Sequence, residues 1–161
     1  MIVLHWTAEA TLTDAYNFFY PPRLSHRADI AEQGLLNVSA QYLVDRDGTI
    51  YQLMPDNWMA RHVIGLNDIA IGIENVGGEN NVADLTPAQV DADVYLIRYL
   101  QHKYPSIQYL IGHYEYLECR HTMLWQEKDA DYITYKLDPG PAFMRAVRAK
   151  VLDLHLKNCT S

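Results

Sequence analysis

Cysteine is scarce in this chain, with only Cys119 and Cys159 among 161 residues. Two cysteines exclude a disulfide-built scaffold and leave either one bridge or two free thiols. The polar tail around Cys159, two residues from the end, favours the thiols. Long apolar runs are missing too. None approaches the roughly 20 residues a helix needs to span a bilayer, so no transmembrane segment is expected. The opening Met1-Ile2-Val3-Leu4 is too short for the apolar region of an export signal. Basic residues are outnumbered: 13 Lys+Arg against 20 Asp+Glu give a net charge of −7. That balance disfavours a nucleic-acid partner held by bulk charge. No segment repeats at a fixed period and no Gly/Ser-rich or Pro-rich linker divides the chain, which predicts one domain over residues 1–161. What the chain does have is apolar material, 49% of its residues, enough to bury a core.

The pattern of that material mixes two periods. Ile2-Val3-Leu4 reads as a short buried strand with His5 at its end. Thr13 or Asp14 is placed to cap a brief helix through Phe18-Phe19 that Pro21-Pro22 stops, and residues 23–37 read as loop. Residues 42–44 and 49–53 flank Asp45-Arg46-Asp47-Gly48, whose Asp-Gly is a hairpin signal. Between residues 69 and 74, Ile69, Ile71 and Ile73 fall on one face of a strand. Ala70, Gly72 and Glu74 fall on the other, where the small residues leave space above a sheet. Thr86-Pro87-Ala88-Gln89 opens a helix with a capping box and an N-terminal proline, and Val90, Val94, Ile97, Leu100 and Tyr104 continue it to Pro105. Residues 107–111 form a further apolar strand before Gly112-His113, and a last helix from Pro141 buries Met144, Val147, Val151 and Leu154. This order predicts an α/β domain, a central mixed β-sheet flanked by helices.

Of seven histidines, His26, His102 and His155 sit in polar or helical contexts that suit a plain surface or packing role. His5 and His113 each close an apolar strand, where rigid backbone meets an open crevice. They read either as two ligands of one metal or as a hydrogen-bonded pair at the sheet rim. Asp138, in Lys136-Leu137-Asp138-Pro139-Gly140-Pro141, is a third candidate; its alternative is an N-cap for the helix at Pro141. Two imidazoles and a carboxylate make a catalytic zinc set with a fourth position left for water. Glu74, on the face lined by Ala70 and Gly72, reads as a partly desolvated general base or as an edge residue in water. Lys136, two residues before Asp138, lies on the same side of an extended segment. A rival metal set would recruit Cys119 and His121 in place of Asp138.

Five segments in order carry a resemblance: Ile2-Val3-Leu4-His5-Trp6-Thr7, the hairpin of residues 38–53, Asn67-Asp68-Ile69-Ala70-Ile71-Gly72-Ile73-Glu74, Ile111-Gly112-His113, and Lys136-Leu137-Asp138-Pro139-Gly140-Pro141. Together they resemble the zinc-dependent N-acetylmuramoyl-L-alanine amidases, which share their fold with peptidoglycan recognition proteins and phage T7 lysozyme. The resemblance implies zinc bound by His5, His113 and Asp138, with Glu74 as catalytic base and Lys136 stabilising the transition state. It also implies peptidoglycan or a muropeptide as substrate, a monomer, and a place in the bacterial envelope or outside the cell, with the cytoplasm still open. Departures accompany it. The catalytic tyrosine of one branch falls on Ala40, Gln41 stands where a histidine is frequent, and a Trp-His-Ala-Gly segment is replaced by Arg61-His62-Val63-Ile64-Gly65. His62 is therefore a candidate cleft residue that touches substrate. A non-catalytic peptidoglycan-binding module and a secreted antibacterial amidase remain as alternative readings.

Overall fold

A computed structural model describes all residues except Ser25, His26 and Ser161; the reading of His26 falls outside the described residues. Five strands form one sheet: β1 (Ile2–Trp6), β2 (Tyr42–Val44), β3 (Ile50–Gln52), β4 (Ile71–Asn75) and β5 (Leu110–Gly112), in the order β3-β2-β4-β1-β5. β2, β4, β1 and β5 run parallel, and β3 joins the edge antiparallel through the 45–48 turn, where Gly48 takes φ +88°. The sheet is mixed, as expected. Alternation then divides the strands between two environments.

Ile2 and Leu4 of β1 share a face with Ile71 and Ile73 of β4, and this face is covered by α3 (Pro87–Lys103) and α4 (Pro141–Lys150). Thr86 caps α3, accepting from the Gln89 amide, while Gln89 accepts from the Thr86 amide. Val90, Leu96, Ile97 and Leu100 of α3 and Phe143, Met144 and Val147 of α4 fill the layer between. Each such side chain removed from water contributes about 1.5–3 kcal/mol before the entropy of ordering it is subtracted. The buried stripe of α3 includes Asp93 where the periodicity predicts Val94, which is only partly buried.

The opposite face carries Val3, Ala70 and Ile111 in a smaller cluster with Val63, Leu66 and Tyr116. Several elements differ from the sequence-based expectation. Helix α1 (Leu12–Phe19) is capped by Thr11, whose hydroxyl accepts from the Asp14 amide, rather than by Thr13 or Asp14. A short helix, α2 (Ala28–Ala31), lies inside the stretch that reads as loop. Ile69 belongs to a 3₁₀ turn preceding β4, and Leu154 to one beyond α4. Cys119 and Cys159 are joined in a disulfide, against the leaning toward free thiols. The tail around Cys159 is not loose: Tyr109 and Lys157 bridge as parallel strands, and Leu110 donates to the Lys157 carbonyl at 2.9 Å.

Candidate metal centre and active site

Parallel register decides which side chains can meet. His5 is paired with Glu74 and Val3 with Gly72, so the two polar groups lie side by side on one face. His113 follows β5 two residues after Ile111, which is paired with Val3, and so keeps that face. All three sit at the carboxyl ends of parallel strands, where α/β sheets open their crevices. Asp138 comes from elsewhere in sequence, but its backbone carbonyl accepts from the Tyr114 amide at 2.9 Å, which pins the turn beside His113. His5 is not past the strand end, as the sequence suggests, but inside β1.

His5 Nδ1 and His113 Nδ1 lie 2.9 Å apart, and Asp138 Oδ2 lies 3.2 Å from the first and 3.0 Å from the second. All three residues are buried, and their donor atoms lie within 4.8 Å of one another. Two nitrogens aimed at each other across such a gap, with a carboxylate oxygen completing the triangle, could hold a divalent cation. Asp138 does not cap α4: the cap is Gly140, without a side-chain bond. The rival set is also excluded, since Cys119 is in the disulfide and His121 is exposed.

The electrostatics fit the same use. Burial, with the charge of a neighbouring His113, pushes His5 down to about 4, so its imidazole is neutral at pH 7. Burial opposes ionisation of Asp138, yet the two imidazoles outweigh it and hold the carboxyl well below the usual range. Glu74 goes the other way. Burial first, then the Asp138 charge, raises it well above an ordinary glutamate, against the pull of Lys136 and Arg27. Its Oε2 is buried with no hydrogen-bond partner among the described residues, a carboxyl oxygen in position to accept a proton. Lys136 is lowered, chiefly by burial and by Arg27, while Asp138, Asp29 and Glu74 pull it back.

The five residues border a cleft of about 750 Å³. Phe18, Arg27 and Leu36 line it from the segment before β2, and Tyr132, Tyr135 and Lys136 from the segment between His113 and Asp138. Gln33 Nε2 ties these walls directly, donating to Asp129 Oδ2 at 3.1 Å. Arg61, from the segment after β3, bridges them by donating to the Ile30 carbonyl at 2.7 Å and to the Tyr132 hydroxyl at 3.4 Å. His62 lines the cleft, but its ring packs down against His5, with Nδ1 2.9 Å from His5 Nε2. Burial, followed by the two neighbouring imidazoles, holds His62 well below the ordinary histidine range.

Two participants escape a reading of the sequence. Arg27 lies in the stretch that reads as loop, and its guanidinium is paired with Asp29 at 2.8 Å. Asn75 follows Glu74, so alternation turns it to the helix-covered face, where Nδ2 donates to the His5 carbonyl at 3.2 Å and to Asp93 Oδ2 at 3.1 Å. The helical spacing from Val90 through Asp93 to Ile97 is the one sequence signal for that pair.

Residues 1–141 match the family described as N-acetylmuramoyl-L-alanine amidase. An endolysin of Enterobacteria phage K11 is 31% identical over 86 residues, 51% of this chain and 57% of the phage protein; the match spans little more than half the length of that curated relative. Among solved structures, N-acetylmuramoyl-L-alanine amidase LysC from Clostridium intestinale URNW superposes with a TM-score of 0.63 at 26% identity, over 98% of this chain and 85% of that one. Human PGRP-IβC, in complex with a glycosamyl muramyl pentapeptide, has the same fold at 20% identity and TM-score 0.63, over 97% of this chain and 84% of its own. With a family match that runs from the first strand to the start of α4, this chain belongs to the N-acetylmuramoyl-L-alanine amidase family.

Proposed function

We propose that this protein is a zinc-dependent amidase that hydrolyses the bond between the lactyl group of N-acetylmuramic acid and L-alanine in peptidoglycan or its fragments. The observation that carries the reading is the convergence of His5 Nδ1, His113 Nδ1 and Asp138 Oδ2 in the cleft of a chain from this family. The donor set fits zinc: two imidazoles and one carboxylate, three ligands that would leave a fourth position for solvent. Bound there, zinc supplies a water acidified to a pKa of about 7 and a Lewis acid for the scissile carbonyl.

The chain's own residues do the rest. Glu74, paired with His5 across the strands and raised by burial, takes the proton of the attacking water and returns it to the nitrogen of the departing L-alanine. Lys136 places a positive charge beside the oxygen that becomes an oxyanion, a type of contribution worth about 3 kcal/mol when geometry is good. Asp138 neutralises part of the metal's charge, which makes a nearby cation more useful. Phe18, Leu36, Tyr132 and Tyr135 give the cleft apolar and aromatic walls suited to a sugar-peptide.

The ligands, base and lysine all come from one chain, which supports a monomer as the working unit. The Cys119–Cys159 bridge suits an oxidising compartment such as the envelope or the exterior. Among the described residues no helix is long and apolar enough to cross a membrane. Mass spectrometry of products from a defined muropeptide tests the reading. Release of the L-alanyl peptide with its free amine, abolished by a chelator and restored by zinc, is expected; intact muropeptide, or a cut elsewhere, overturns it.

A further inference from the structure

We infer that His62 is a positioning residue for the metal centre: its Nδ1 accepts the Nε2–H of His5 and so fixes the ring angle and tautomer with which His5 offers Nδ1. This inference rests on the metal reading above and replaces the expectation that His62 touches substrate.

Counting protons assigns the roles. A neutral imidazole carries one N–H and one lone pair. His5 Nδ1 faces His113 Nδ1 at 2.9 Å and Asp138 Oδ2 at 3.2 Å, so this nitrogen is the one on the ligand side. Its proton then belongs on Nε2, which lies 2.9 Å from His62 Nδ1 in a buried contact. His62 must accept there and keep its own proton on Nε2.

The placement of His62 is built in from two directions. Its backbone is held where Asn67 Oδ1 accepts from the amides of both His62 and Val63, at 2.9 and 2.8 Å. Its ring lies flat on the strand at Gly72, where an added Cβ would come within 2.8 Å of His62 Cγ and Nδ1. The space above the sheet that Gly72 leaves is thus filled by this imidazole. Gly72 is fixed in turn, its amide donating to Gln41 Oε1 at 2.7 Å. The His5 and His62 ring planes are inclined at 83° with centroids 5.0 Å apart, an arrangement that an N–H···N bond between the facing nitrogens accommodates. A carboxylate in this place would add a second negative charge to the centre; an imidazole orients the ligand and leaves Asp138 as its only anionic donor.

The test measures zinc affinity of the metal-free protein by competition with a chromogenic chelator, for wild type, His62→Leu and His62→Gln. Loss of a partner that orients a ligand histidine weakens metal binding about 10- to 100-fold. That loss is expected for His62→Leu. His62→Gln, whose Oε1 can still accept, should recover most of it. The zinc-loaded wild type, labelled with ¹⁵N, should also show scalar coupling between His5 Nε2 and His62 Nδ1 across the hydrogen bond. This second readout decides the matter if His62→Leu does not fold. Equal affinity in wild type and His62→Leu, equal loss in both variants, or a His62 proton on Nδ1 overturns the inference. Wild-type protein that takes up no zinc overturns the metal reading itself, a result distinct from the others.

Discussion

The two faces of the sheet are built from the same strands and do opposite work. On the covered face Ile2, Leu4, Ile71 and Ile73 meet Leu96, Ile97, Leu100 and Met144 in a layer made almost entirely of carbon. One residue along each strand, the other face passes from Val3 to His5 and from Gly72 to Glu74, and ends at the cleft. Period-two alternation separates stability from chemistry at the level of single positions. Buried polar atoms without hydrogen-bond partners among the described residues occur on both faces, Glu74 Oε2 and His62 Nε2 on the open one and Asn75 Oδ1 and Asp93 Oδ1 on the covered one, and each is a cost to stability. On the open face they border the cleft.

If the faces are separable in this way, damage to one should leave the other intact. The largest effect is expected from Glu74→Gln, which removes the base while keeping shape: turnover of a defined muropeptide should fall by about 10²- to 10⁴-fold with zinc content and unfolding midpoint unchanged. Leu100→Ala makes the complementary break. It should cost about 2–5 kcal/mol in urea denaturation through the cavity it leaves, with zinc affinity as in wild type. A similar loss is expected from Cys159→Ser. The bridge closes a span of 40 residues, which in the chain-entropy view is worth about 4 kcal/mol, measured as a shift in denaturation midpoint between oxidised wild type and variant.

A further test addresses a place where the faces communicate. Asn75 holds the His5 carbonyl from the covered side and is itself bonded to Asp93, a fully buried carboxyl that burial pushes up to about 8 against the hydrogen bond from Asn75. The unfolded chain releases this proton near pH 3.9, as a rough reference value. The folded state therefore binds a proton the unfolded state does not, and this contribution to stability is full below that reference pH and falls away as pH rises through about 8. Asp93→Asn keeps the shape and cannot ionise, so its stability should change less than that of wild type between acid and mildly alkaline pH. Equal slopes for the two proteins would remove Asp93 from this role.

Much of this division is legible in the amino-acid sequence. Ile71 and Ile73 against Gly72 and Glu74 is an alternation visible within one short segment, and Thr86-Pro87-Ala88-Gln89 contains its own cap. His5, His113 and Asp138 stand out as a set because their segments follow a family pattern in order. What stays hidden depends on long-range closure. The seat of His62 on Gly72 requires the turn at Asn67 to fold back over β4, and nothing local to either residue announces it. The Cys119–Cys159 bridge needs the tail to pair along Tyr109, a contact that a polar terminal sequence does not advertise. Asp93 escapes notice because Val94 beside it fits an apolar stripe better, although Asp93 is the residue fully buried.

Metal stoichiometry is the most direct measurement of the central claim. Purified wild type and Asp138→Ala, dialysed against trace zinc and analysed by plasma mass spectrometry, should differ. Wild type is expected to retain one zinc per chain, and the variant to lose it at the same dialysis concentration. Equal zinc in the two proteins, or none in either, would contradict a centre built from His5, His113 and Asp138.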